Sequence, residues 1–173
     1  MASKFKGRIR TAVIGLAIVS ALQASLMIAG KYYTIGFDGQ KGVRSTPHTM
    51  FLIVKSDRAP VVGDYFSFET DDRHQPWFNK IKMVKRVAGQ PGDKVAIVDD
   101  QLTINGEVVA RRNPRIIQKI ADAKPGYELS FPVEVVVPPG HYVMVTDSFD
   151  GFDSRYWGLL DESAIRGRAV PVF

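Results

Sequence analysis

The sequence predicts a mainly β domain, extracytoplasmic, carried on one N-terminal transmembrane helix. Three observations lead there. Residues 11–30, TAVIGLAIVSALQASLMIAG, hold no charged side chain, and about 20 apolar residues wound as a helix cross a hydrocarbon core of roughly 30 Å. From residue 31 onward, short runs rich in Val, Ile, Tyr and Phe recur between Gly, Pro, Asn and Asp turn signals, with no internal repeat. A chain of 173 residues, 45% hydrophobic and 24% charged, is also large enough to close one core.

The first ten residues contain Lys4, Lys6, Arg8 and Arg10 and no acid, so they carry four of the net five positive charges. The basic excess is thus a short tail next to the apolar run, not a face for phosphates, and nucleic acid is excluded as the partner. With cations kept on the cytoplasmic side, residues 1–10 form a cytoplasmic tail, 11–30 span the bilayer, and 31–173 face outward. The competing reading is a cleaved signal peptide. Its apolar core normally runs 7–15 residues and ends at small residues, whereas this run is longer and Leu22 stands where a small residue is needed. An uncleaved anchor is the stronger reading. The chain has no cysteine, which rules out disulfides and thiolate metal sites, and His48, His74 and His141 lack ligand spacing. Neither a metal nor a cofactor is expected.

The outer domain reads strand by strand. TMFLIVK (49–55) is an apolar strand followed by the turn SDRAPVVGD, and YFSFE (65–69) alternates. NKIKMVKRVAG (79–89) is a strand closed by the turn QPGD. Residues 94–109 read as two strands around Asp99–Asp100, with Asn105–Gly106 signalling a type I′ hairpin. Residues 133–148 give two more strands, split by Pro138, Pro139 and Gly140. Residues 111–131 differ in texture and predict one helix, 114–123, inside a peripheral insertion. A turn and a last strand end the chain.

In the strand IKMVKRV, alternation puts Ile81, Met83, Lys85 and Val87 on one face and Lys82, Val84 and Arg86 on the other. Lys85 therefore lies in the apolar row, while two cations already serve the wetter side. An amine drawn out of water favours its neutral form, and a neutral amine is a base. The plain alternative is a lysine whose stem lies along the surface and whose head stays in solvent. A base needs a hydroxyl to activate. Ser45 in GVRSTPHTMF is the candidate, held in an extended or turn segment by Pro47. Serine with lysine is a known variant of the hydrolase triad.

Three motifs then carry a resemblance. VKRVAGQPGD (84–93) resembles the lysine box of type I signal peptidases, GDYFSF (63–68) the box before it, and VPPGHYVMVTDSFDGFDSRYWGLLDESAIRGRA (137–169) the last box. They occur in the family's order, and VAGQPGDK with DSRYWG is specific. The resemblance implies a signal-peptidase-like β-rich fold on one anchor, a serine endopeptidase that cleaves leader peptides after small residues, Ser45 as nucleophile and Lys85 as general base. It implies that Asp153 and Arg155, with Asp147, form the ion-paired support of the site. It also implies a bacterial inner-membrane location with a periplasmic catalytic domain, the lipid bilayer as surroundings and a signal-peptide-bearing precursor as partner. A calcium loop at DSFDGFD is disfavoured because Phe149 stands where an oxygen ligand is needed.

Three departures refine this. Ser45-Thr46-Pro47 is one residue shorter than the housekeeping serine-x-x-proline, and is similar to the TraF-type conjugative transfer signal peptidases, which mature a pilin subunit. That likeness implies a pilin precursor and conjugative secretion components as partners. Val43 replaces the usual hydroxyl donor two residues before the nucleophile, and Gly151 replaces the serine that helps orient the lysine. Ser148 or Thr146 is the expected substitute. The alternatives are a general signal peptidase and a non-catalytic membrane-anchored scaffold. His48, three residues from Ser45, is a weaker candidate base. The QPWF stretch, 75–78, is expected at the membrane surface.

Overall fold

The computed structural model describes residues 2–37, 45–55, 58–74, 77, 80–131 and 134–173. The chain divides into two units, Met1–Thr34 and Ile35–Phe173. The first is essentially one helix, α1 (Ala2–Tyr32). Within it, Arg10–Tyr32 has a mean hydropathy of 2.2 over 23 residues, long and apolar enough to cross a membrane. Its apolar residues lie all round the helix rather than on one stripe, the pattern of a segment whose solvent is lipid.

The second unit is built from strands β1 (Tyr33–Phe37, which begins in the first unit), β2 (Met50–Val54), β3 (Tyr65–Glu69), β4 (Lys82–Gly89), β5 (Lys94–Val98), β6 (Gln101–Ile104), β7 (Glu107–Arg111), β8 (Val135–Val136), β9 (His141–Val145), β10 (Leu160–Asp161) and β11 (Ile165–Pro171). Helices α2 (Pro114–Ala123) and α3 (Ser154–Trp157) complete it. A seven-stranded sheet has the order β1-β2-β11-β3-β4-β9-β10, and a four-stranded sheet the order β7-β6-β5-β8. The fold is mainly β, as the turn-punctuated pattern predicts.

The residues 94–109 form three strands rather than two. Asn105 and Gly106 have φ of 52° and 86°, and Asp99 and Asp100 have φ of 48° and 59°. The Asp–Asp pair therefore makes a second turn with both φ positive, which aspartate tolerates. Helix α2 starts and stops at the predicted residues because Asn113 caps it, accepting from the Arg115 N–H, and Pro114 opens the first turn. Its segment is not peripheral, however. Ile116 and Ile120, four apart on one face, are buried with Phe66, Phe68, Met83, Val87, Met144 and Tyr156. A second cluster, with Ala88, Val95, Leu102, Ile104, Phe131, Val143 and Val145, joins the two sheets.

The last strand is inserted between β2 and β3, so the chain's C-terminal residues complete the large sheet. A register shift between Ile165 and Gly167 marks a bulge there. Gly167 has φ of 150°, and a Cβ on it would lie 2.4 Å from the Val54 carbonyl oxygen. Gly167→Ala should destabilise the domain by roughly 1–3 kcal/mol, read as a lower urea midpoint with an unchanged slope. An unaltered midpoint would show that the bulge absorbs a methyl group.

Candidate active site

The alternation read from β4 is the one its burial follows. Met83, Lys85 and Val87 are buried, whereas Lys82 is exposed and Val84 and Arg86 are half-buried. Lys85 is only 1% exposed. It sits opposite Phe66 of β3, so its stem is enclosed by a sheet face that is otherwise hydrocarbon. The surface-lying alternative for this lysine is thereby excluded. Ser45 precedes β2 and is also buried, and its Oγ is 3.2 Å from Lys85 Nζ, within hydrogen-bond reach across 40 residues of chain. The Ser45 carbonyl accepts from the Asp147 N–H at 3.0 Å. Thr46 closes the turn that follows, its Oγ1 donating to the His48 carbonyl. Val43 lies outside the described residues.

Asp153 and Arg155 form a buried pair. Asp153 caps α3, accepting from the Arg155 N–H, and receives both Arg155 Nε at 2.8 Å and Nη2 at 2.7 Å. The fork is bidentate, the geometry that best fits guanidinium to carboxylate. Arg155 also donates to the carbonyls of Arg111, Ser148 and Gly151. Burial works against its charge, but Asp153 outweighs that and raises the guanidinium pKa. The segment 111–131 thus props the site directly: Arg112 donates to the Arg155 and Ser130 carbonyls, and Asn113 donates to Asp150.

Asp147 does not join this pair, contrary to the expectation of one ion-paired support. Its carboxylate accepts from Arg86 Nε at 2.8 Å and from the Tyr65 hydroxyl at 2.6 Å. The reason is topological. Strand β9 ends at Val145, and Thr146 and Asp147 leave it toward opposite sides, Thr146 to the buried Asp153 and Asp147 to the half-buried row of β4. Arg86 and Tyr65 were not singled out from sequence. The available signal was Arg86 on the wetter face beside Lys85, which suggested solubility rather than a partner.

Of the two substitutes for the hydroxyl at 151, Thr146 is buried and its Oγ1 lies 2.9 Å from Asp153 Oδ2 and 3.0 Å from Arg155 Nη2. Ser148 instead accepts from the Asp150 N–H in its own turn. A Cβ at Gly151 would fall 1.9 Å from Thr146 Oγ1. Thr146 therefore fills the space that any side chain at 151 needs. His48 packs edge-on against Phe51 and Tyr65, at 5.8 and 5.7 Å between ring centres. Of the QPWF stretch only Trp77 is described; it is 39% exposed and stands edge-on to Phe152. Among the described residues no group of acidic and histidine side chains is placed to hold a metal.

Behind α3, His74 is fully buried against Trp157 and Phe68. Its Nδ1 lies 3.0 Å from the Asp71 N and 2.9 Å from Asp71 Oδ1, and among the described residues its Nε2 has no partner. Burial holds its pKa below the ordinary value of 6.5, with Asp71 opposing. An unfolded chain therefore takes up this proton first as pH falls, so the stability that His74 contributes is full above about pH 6.5 and declines below it. The urea midpoint should drop between pH 7.5 and 5.5 in the wild type and drop less in His74→Phe. Equal slopes would remove His74 as a source of acid sensitivity.

The model of the family described as signal peptidase, peptidase S26, matches residues 8–173. Signal peptidase I T of Bacillus subtilis is 37% identical over 102 residues, 55% of this chain and 50% of that protein. The conjugal transfer protein TraF of Agrobacterium fabrum is 31% identical over 97 residues, 56% of this chain and 51% of that protein. A crystal structure of a signal peptidase I from Enterococcus faecalis is 25% identical and covers 65% of this chain and 98% of that one, with a TM-score of 0.42. The chain spans about half the length of the curated relatives it matches.

Proposed function

Because the chain belongs to the signal peptidase family, peptidase S26, we propose that it is a membrane-anchored endopeptidase in which Ser45 attacks and Lys85 is the base. The observation that carries this is the 3.2 Å approach of Lys85 Nζ to Ser45 Oγ with both side chains out of water. Burial disfavours an ammonium, so the amine is available to take a proton.

In the reaction, Lys85 Nζ takes the Ser45 hydroxyl proton as Oγ adds to the scissile carbonyl carbon. The resulting oxyanion is met by the Ser45 N–H, a preorganised donor. Collapse breaks the C–N bond, and the Lys85 ammonium returns its proton to the leaving amine. Water, deprotonated by the same amine, then hydrolyses the acyl-enzyme. Thr146 is the residue proposed to orient Lys85. Continuing the β4–β9 register from the pair Arg86 and Val145 by one residue sets Thr146 opposite Lys85, and Asp153 with Arg155 fixes the Thr146 hydroxyl. Ser148, tied into its own turn, has no comparable position.

The helix α1 anchors the chain in a bacterial inner membrane, basic end in the cytoplasm and Ile35–Phe173 in the periplasm. Its substrate is the leader of an exported precursor, cut after small residues. The Ser45-x-Pro47 spacing and the TraF relative favour a conjugative pilin precursor and a conjugative secretion system as its setting. The signal peptidase I relatives favour general preproteins instead. Full-length protein in liposomes should decide, given one precursor of each kind. Cleavage of the pilin precursor well ahead of the other supports the first reading, and the reverse order supports the second. Equal processing by wild type and Ser45→Ala removes the peptidase assignment and leaves a scaffold.

A further inference from the structure

Tyr65 touches one end of the turn that carries Ser45 directly, at His48, and reaches the other through Asp147. Its hydroxyl donates to Asp147 Oδ2 at 2.6 Å, and the backbone N–H of that same Asp147 donates to the Ser45 carbonyl. Its ring meets the edge of His48, the residue that closes the turn Ser45–Thr46–Pro47–His48, at 5.7 Å between centres. Phe51, the second residue of β2, lies 5.7 Å from the same ring. These contacts join three otherwise separate pieces of chain: β3 through Tyr65, the end of β9 through Asp147, and the nucleophile turn through Ser45 and His48.

Tyr65 and Arg86 face each other across β3 and β4, and both converge on the Asp147 carboxylate, Arg86 at 2.8 Å. Burial and the bond to the Asp147 carboxylate push the phenol up to about 12, so it stays a donor throughout the working pH range. A serine nucleophile needs its Oγ held within a fraction of an ångström of the base, because a misplacement of about 1 Å costs on the order of 100-fold in rate. Ser45 lies in a bend rather than in a helix or strand, five residues before β2 begins at Met50. Its carbonyl is fixed by one amide, and the orientation of that amide depends on where the Asp147 side chain is tied.

We propose that Tyr65 is a positioning residue of the reaction: through Asp147 on one side and His48 on the other, it sets the place of Ser45 relative to Lys85. This rests on the Ser45–Lys85 reading. The role is indirect, exerted through the place of Ser45, so its effect falls on turnover rather than on substrate binding.

The test uses full-length protein in liposomes with a precursor cleaved by the wild type. Tyr65→Phe keeps the ring that packs on His48 and Phe51 and removes only the hydroxyl. It should lower kcat about tenfold and leave KM and the thermal midpoint nearly unchanged. Asp147 is partly exposed, so Asp147→Ala is tolerated by the fold, and it should lower kcat at least as far. In the double variant the two losses should not multiply: Tyr65→Phe should add nothing once Asp147 is alanine, because its hydroxyl acts through that carboxylate. A wild-type kcat for Tyr65→Phe, a change confined to KM, or losses that multiply would each overturn the proposal while leaving the dyad standing. Undiminished cleavage by Ser45→Ala would instead overturn the dyad, and this inference with it.

Discussion

Lys85→Met should lower precursor cleavage by about three orders of magnitude while leaving the domain folded and at least as stable. Methionine matches the length of the lysine stem and packs readily into an irregular apolar space, so Met83, Phe66 and Val87 keep their contacts. What is lost is the proposed proton acceptor. General-base assistance contributes roughly 10²–10⁴-fold, and without it Ser45 remains a hydroxyl, a poor nucleophile. The stability should move the other way. A buried amine is held out of water at a cost, and replacing such groups with matched apolar ones is commonly neutral to about 2 kcal/mol stabilising. Initial rates in liposomes and urea unfolding of the same preparation measure both. A rate within tenfold of the wild type would refute the role of Lys85; a lost rate with a collapsed fold would not count in its favour.

Arg155→Ala should destabilise the domain by about 3–5 kcal/mol, the cost of stranding a buried charge. Asp153 is fully buried and would lose the fork of Nε and Nη2, and the carbonyls of Arg111, Ser148 and Gly151 would lose their donor together. Arg155→Lys should recover only part, since an ammonium cannot make the paired bonds of a planar guanidinium. The expected order of urea midpoints is wild type, Arg155→Lys, Arg155→Ala. Cleavage should fall with them, because Thr146 and Asp147 leave β9 from the point where Asp153 receives the Thr146 N–H. A midpoint for Arg155→Ala within about 1 kcal/mol of the wild type would mean that water replaces the fork, which its burial argues against.

The strand alternation of residues 82–89 was legible because a period of two is a local property of the backbone, and it identified a lysine on the wrong face before any tertiary contact was known. Helix α2 was legible as a stretch at 114–123, and the structure shows why it starts there: Asn113 caps it and Pro114 opens its first turn. Helix α3, four residues long, and the two-residue strand β10 were not legible, since neither is long enough to show a period. The role of residues 111–131 was also hidden. Their irregular texture suggested an appendage, but Ile116 and Ile120 find their partners on strands far away in sequence.

By itself the sequence determined an apolar helix, a β-rich domain, a lysine in the apolar row of its strand at position 85 and a serine ahead of a proline at position 45. All of these follow from patterns within a few residues. Only the tertiary structure decided that the amine and the hydroxyl meet, that Asp147 pairs with Arg86 and Tyr65 rather than with Arg155, and that Thr146 takes the space that glycine leaves at 151. Those outcomes depend on which strands become neighbours. Strand pairing is settled by the packing of the whole sheet, which no short stretch of chain encodes.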